Sequence, residues 1–102
     1  MTDVAMSHDH VEHRYEARVD ADLAGFAQYQ LTDGLVVLTH TEVDDRFEGQ
    51  GVGSAIARYA LDDVRASGRR ALPLCPFIRG WIDKHPEYAD LVYEPPRSTA
   101  RD

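Results

Sequence analysis

At Asp44 the hydrophobic pattern switches from a period of two to helical spacing, and a polar loop with glycines at 49, 51 and 53 stands at the switch. Upstream, Val11, His13, Tyr15, Ala17 and Val19 alternate with Glu12, Arg14, Glu16 and Arg18, as a half-buried strand requires. Asp20-Ala21-Asp22 interrupts the run, and Leu23 to Leu31 resumes it around Phe26, Tyr29 and Leu31. Thr32-Asp33-Gly34 is a hairpin signal, and the β-branched run Leu35 to Val43 follows, so three strands in an antiparallel meander are expected. Downstream, Val52, Ala55, Ile56, Tyr59, Ala60 and Val64 recur at helical spacing until Ser67-Gly68, where glycine supplies the left-handed stop. A meander that feeds a helix through a glycine loop predicts an α+β domain.

After that helix, Arg70 to Cys75 reads as a short strand that must lose pairing or lie at an edge at Pro73. Pro76 suits the first position of a second helix carrying Phe77, Ile78, Trp81 and Ile82 inward, and Pro86 ends it near His85. The expected organisation is one domain over residues 11–92, with tails at 1–10 and 93–102. With 102 residues, one core is affordable without metal or disulfide. The single cysteine excludes a stapled scaffold, and a formal charge of −7 argues against nucleic acid as a partner. No signal sequence and no run of ~20 apolar residues is visible, so a cytoplasmic protein with no membrane partner is expected. His8, His10 and His13 could chelate weakly, but in a flank they read as a solvated tail, and no metal is expected.

The loop Arg46-Phe47-Glu48-Gly49-Gln50-Gly51-Val52-Gly53-Ser54-Ala55 is the most informative stretch. A helix start has unpaired N–H groups and partial positive charge, and glycines let an anion approach the backbone. A P-loop is excluded, because the only lysine of the chain is Lys84. A dinucleotide fingerprint is excluded too, since Ser54 stands where its third glycine belongs and the preceding strands are antiparallel.

Gln50-x-x-Gly53-x-Ala55 matches the Gln/Arg-x-x-Gly-x-Gly/Ala pattern of the GNAT superfamily of N-acetyltransferases. With His40-Thr41-Glu42-Val43, Pro73-Leu74-Cys75-Pro76-Phe77 and His85-Pro86-Glu87-Tyr88, the chain from Val11 to Val92 resembles the minimal, single-domain GNAT-like family. The resemblance implies a GNAT-like (acyl-CoA N-acyltransferase) fold. Such a fold has a central, mostly antiparallel sheet and two main helices, here without the N-terminal helices that help form the acceptor site. It implies acetyl-CoA (coenzyme A) as co-substrate and an acetyl acceptor that is a primary amine of a small molecule or protein; an acyl-CoA-binding module with little catalysis is the alternative. Val43, Arg46, Gly49, Gln50, Gly51, Val52, Gly53, Ser54 and Ala55 are the residues expected around the coenzyme.

Four residues are candidates for the chemistry. Cys75 falls at the N-cap of the second helix, where the dipole favours a nucleophilic sulfur. The resemblance puts it near the thioester, as transient acyl acceptor or as part of the site's shape; otherwise it is a small buried hydrophobe. His40 and Glu42 share one strand face, and either could take the proton an ammonium acceptor must lose; otherwise they are a solvated polar pair. Tyr88 could protonate the departing thiolate, as a tyrosine does in many GNAT enzymes, or simply pack.

Overall fold

The computed structural model describes residues 3–94. Five strands form one sheet in the order β1-β2-β3-β4-β5: Ala5–Asp9, Arg14–Val19, Asp22–Thr32, Leu35–Val43 and Arg70–Pro73. The first four pair antiparallel and β5 runs parallel to β4. Helix α1 (Val52–Ser67) makes the crossover from β4 to β5, α2 (Pro76–Asp83) follows β5, and a 3₁₀ turn at Pro86–Leu91 closes the described chain. This is the expected α+β architecture.

The meander has one strand more than expected. Residues 5–9, read as tail, form the edge strand β1, and the strand read from Val11 begins only at Arg14. Side chains explain the anchorage of β1. His8, read as a solvated tail residue, lies against the rings of Tyr15 and Tyr29 and hydrogen-bonds the Tyr29 hydroxyl at 2.6 Å. The Tyr15 hydroxyl in turn donates to Asp63 on α1 at 2.9 Å. Of the other expected tail, residues 95–102 lie outside the described residues, while the Tyr93 N–H donates to the Ala71 carbonyl at 2.8 Å.

The apolar stripe of α1, Val52, Ile56, Ala57, Ala60, Leu61 and Val64, is buried against the sheet. Burying each larger member contributes roughly 1.5–3 kcal/mol, which makes this helix the clamp of the core. Gly68 ends it in the left-handed region, as expected. Between β2 and β3, Asp20 and Ala21 both have positive φ, 51° and 76°, the pattern of a type I′ hairpin turn. Alanine is strained there. Ala21→Gly is therefore expected to stabilise the fold by about 1 kcal/mol, raising Tm by about 5 °C in a thermal melt. An unchanged Tm would mean that the turn already relaxes.

Two irregularities shape the far end of the sheet. Gln28 pairs with His40 but Tyr29 pairs with Leu38, so Thr39 is an extra residue on β4. The bulge reverses the in–out phase. Val36 and Leu38 are buried before it, but after it Thr41 and Val43 turn to the core side while His40 and Glu42 face outward. The second irregularity is the fork between β4 and β5. Their pairing stops at Leu38 and Pro73, where the Leu38 carbonyl accepts from both Leu74 and Cys75 N–H at 3.0 Å. β4 continues for five residues without β5 beside it. The β1–β2 and β2–β3 connections contain no helix, and no described helix covers the face bearing Arg14, Glu16, Arg18, Phe26, His40 and Glu42.

Candidate active site

The loop that follows β4 begins with a 3₁₀ turn, Asp45–Phe47, capped by the Asp44 carboxylate, which accepts from the Arg46 N–H at 2.9 Å. Gly49 and Gly51 then take φ of 79° and 80°, with Gly51 as the N-cap of α1. The left-handed backbone lets the chain turn sharply into the helix. Gly51 offers no capping side chain, and the first intrahelical bond is from the Ala55 N–H to the Gly51 carbonyl at 3.0 Å. Among the described residues no acceptor within the fold meets the N–H groups of Val52, Gly53 and Ser54. These amides carry the positive end of a sixteen-residue helix.

They open on a groove of about 400 Å³ lined by Val43 on β4, Phe47 to Gly49 and Gly51 to Ser54 on the loop and helix, and Phe77, Trp81 and His85 opposite. Of the residues expected around a coenzyme, Val43, Gly49, Gly51, Val52, Gly53 and Ser54 line it. Arg46, Gln50 and Ala55 do not. The Arg46 guanidinium is held by the Asp44 carboxylate, with two hydrogen bonds of 3.2 Å, and lies over the Phe47 ring. That pairing also holds the Asp44 carboxyl below its usual range. Gln50 donates from its side chain to the Arg46 carbonyl at 3.4 Å, which ties the loop to itself.

Gly53 lines the groove and also makes room in its wall. A Cβ built there would lie 2.8 Å from Cζ of Phe77, so the missing side chain makes room for a ring of the groove wall. The wall itself is a stripe that residue spacing could have exposed. Phe77, Trp81 and His85 are four apart, on one side of α2 and its continuation. Trp81 is its centre: its indole N–H donates to Ser54 Oγ at 2.9 Å, and the His85 imidazole stacks on it at 3.7 Å.

Cys75 is the N-cap of α2, as expected, but it is 4% exposed and does not line the groove. Its thiol donates to the Thr41 hydroxyl at 3.4 Å, a contact that exists because the bulge turned Thr41 inward. The pair closes the apex of the fork.

His40 and Glu42 are together on the open face, Nε2 and Oε2 3.3 Å apart and both mainly exposed. Glu42 also lines a second cavity of about 170 Å³ with Leu23 to Phe26, Val43 and Asp44. Val43 is thus a wall common to this cavity and to the amide-lined groove. On the same face Glu16 is bonded to both Arg14 and Arg18, and these bonds, chiefly that from Arg14, hold its carboxyl below the ordinary range.

Tyr88 lies elsewhere. Its ring is buried beside Trp81, its hydroxyl donates to Asp62 at 2.7 Å and accepts from Arg58 at 3.2 Å. Burial, and then the Asp62 carboxylate, push its phenol upward. It fastens the 3₁₀ turn to α1. Among the described residues no group of three or more His, Cys, Asp or Glu is placed to hold a metal ion. No helix among them is long and apolar enough to cross a membrane.

The chain is similar to several known proteins. A bovine relative, protein NATD1, is 28% identical over 85 residues, spanning 81% of this chain and 75% of its own. A GCN5-like protein from Staphylococcus aureus superposes over 100% of both chains with a TM-score of 0.70 at 18% identity. The ribosomal-protein-alanine N-acetyltransferase from Brucella melitensis biovar Abortus superposes over 95% of this chain and 94% of its own, with a TM-score of 0.58 and 18% identity. At those identities the two structures speak for the fold. The family model for GCN5-related N-acetyl-transferase matches residues 14–91, from the start of β2 through the 3₁₀ turn, and therefore the loop, the groove and the fork together. The chain belongs to the GCN5-related N-acetyltransferase family.

Proposed function

We propose that this protein transfers an acetyl group from acetyl-CoA to a primary amine. The observation that carries the reading is the groove in which unpaired amides of α1 face an aromatic wall, beside a fork between β4 and β5. Diphosphate oxygens accept from the N–H groups of Val52, Gly53 and Ser54, and the pantetheine arm runs along Val43 into the fork. Backbone groups of β4 that β5 no longer pairs are available to its amides.

The acceptor comes from the other side of Val43, through the cavity that Glu42 lines. There the amine gives up a proton to the Glu42 carboxylate or to its partner His40, and its lone pair attacks the thioester carbonyl. As the carbon–sulfur bond breaks, coenzyme A leaves as the thiolate. Transfer is direct in this scheme. The Cys75 thiol, buried and turned to Thr41, gives the apex its shape rather than carrying the acetyl group.

Thermal melts with acetyl-CoA test the reading. Ligand at about one hundred times its Kd should add about 2.7 kcal/mol of stability, and an acetylated product should form from at least one member of a panel of small amines and peptide N-termini. No shift at millimolar ligand rejects coenzyme binding altogether. A shift without product from any amine identifies an acyl-CoA-binding module instead, and an acetyl adduct on Cys75 by intact mass would replace direct transfer with a two-step route.

A further inference from the structure

The amide-lined groove contains one feature that the preceding scheme leaves unused. Among the residues that line it there is no lysine and no arginine, and its ionisable members are Glu48 and His85. A polyanionic ligand therefore enters a groove of an acidic chain with a carboxylate as one of its neighbours.

His85 is built as if to offset this. It sits one residue beyond the C-cap of α2, half-buried, with its own N–H bonded to the Ile82 carbonyl at 2.9 Å. Its ring is fixed twice over, by stacking on Trp81 at an interplanar angle of 11° and by a 2.8 Å bond between Nδ1 and the Trp81 carbonyl. A carbonyl only accepts, so Nδ1 carries a hydrogen and donates it. That leaves Nε2 as the ring's second polar atom, with no partner among the described residues. When Nε2 also takes a proton, the ring becomes a cation resting on the indole face, an arrangement that aromatic quadrupoles favour. It then presents one charged N–H from a side chain that has no freedom left to lose.

We propose that His85, through Nε2–H, binds a phosphate oxygen of the coenzyme and supplies the cationic side chain that the groove lining otherwise lacks. The proposal rests on the coenzyme reading above and adds a phosphate-specific contact to it. The charged groups around the ring are Glu48 in the same groove lining, Arg58 on α1 over the Trp81 ring at 5.3 Å, Asp83 and Lys84 at the end of α2, and Glu87 in the 3₁₀ turn that follows. None of these is bonded to Nε2.

The chain has one tryptophan, and it is the one beneath the imidazole, so its emission reports ligand binding directly. The experiment titrates the full chain and two variants with coenzyme A at pH 6 and pH 8. His85→Asn retains an amide at the Nδ1 position to bond the Trp81 carbonyl but lacks Nε2, and His85→Gln serves as the second variant should the first lose stability in a melt. Both variants are expected to bind coenzyme A about tenfold more weakly than wild type at pH 6. Pantetheine, which has no phosphate, should bind all three chains alike. With 3′-dephospho-coenzyme A, a retained effect assigns the contact to the diphosphate and a lost one to the 3′-phosphate. Equal affinity of variant and wild type for coenzyme A at both pH values would overturn the proposal while leaving the coenzyme reading intact. Absence of binding by the wild-type chain rejects that reading and this contact together.

Discussion

Replacing Trp81 by alanine is expected to cost about 4 kcal/mol of folding stability and to abolish coenzyme binding, the largest effect we foresee for a single side chain of the groove. The indole is 7% exposed, and packs against His85 and Tyr88 with the Arg58 guanidinium over its ring. Its N–H reaches Ser54 in the first turn of α1. Truncation leaves a cavity between the two helices and removes the support on which His85 is oriented. Trp81→Phe separates the two contributions. It retains much of the packing and loses the hydrogen bond to Ser54, so a loss of about 1 kcal/mol is expected. Urea unfolding followed by circular dichroism measures both variants, and calorimetry with coenzyme A measures binding without the lost fluorophore. Wild-type affinity in Trp81→Ala would show that the aromatic wall does not contact the ligand.

Gly25→Ala is the second large effect, and it acts from the sheet. A Cβ at this position would lie 2.6 Å from the Glu42 carbonyl oxygen, 3.0 Å from Cδ1 of Ile56 and 3.3 Å from Cα of Val43. The first and last of these are backbone atoms, which cannot rotate away, and the second belongs to the buried stripe of α1. One methyl group therefore has to push β3 from β4 or lift the helix. Destabilisation of about 3 kcal/mol is expected, lowering Tm by something on the order of 15 °C. The shift also reaches the proposed acceptor cavity, because Gly25, Glu42 and Val43 line it. Acetyl transfer, measured well below the melting point, should then fall more than coenzyme affinity does. A melt indistinguishable from wild type would show that the β3–β4 contact yields to the added methyl group.

Much of the architecture could be read from residue order. The run Leu35 to Val43 corresponds residue for residue to β4, and Gly68 and Pro76 mark the end of α1 and the start of α2. Those features are local, each depending on side chains within a turn or two of the position they fix. β1 could not be read in the same way. Ala5–Asp9 is short, half-exposed and only weakly alternating, and it is held by Tyr29, which is 21 residues from His8. The phase of β4 was equally hidden. Alternation puts His40 and Glu42 on one face, which is correct, but the bulge at Thr39 decides that it is the outer face, and a bulge depends on the partner strand.

For the candidate site, the sequence by itself determined the glycine loop, the helix that starts behind it, and the cysteine at the head of α2. Conformational freedom, missing donors and helix caps are properties of short segments. Only the tertiary structure decided which of these features meet. It turned Cys75 into the fork toward Thr41, gave Gly53 to the ring of Phe77 and fastened Tyr88 to Asp62. It also set Trp81 and His85 across from Ser54. Contacts of that kind join residues tens of positions apart, and they form only when the sheet, its bulge and both helices pack at once.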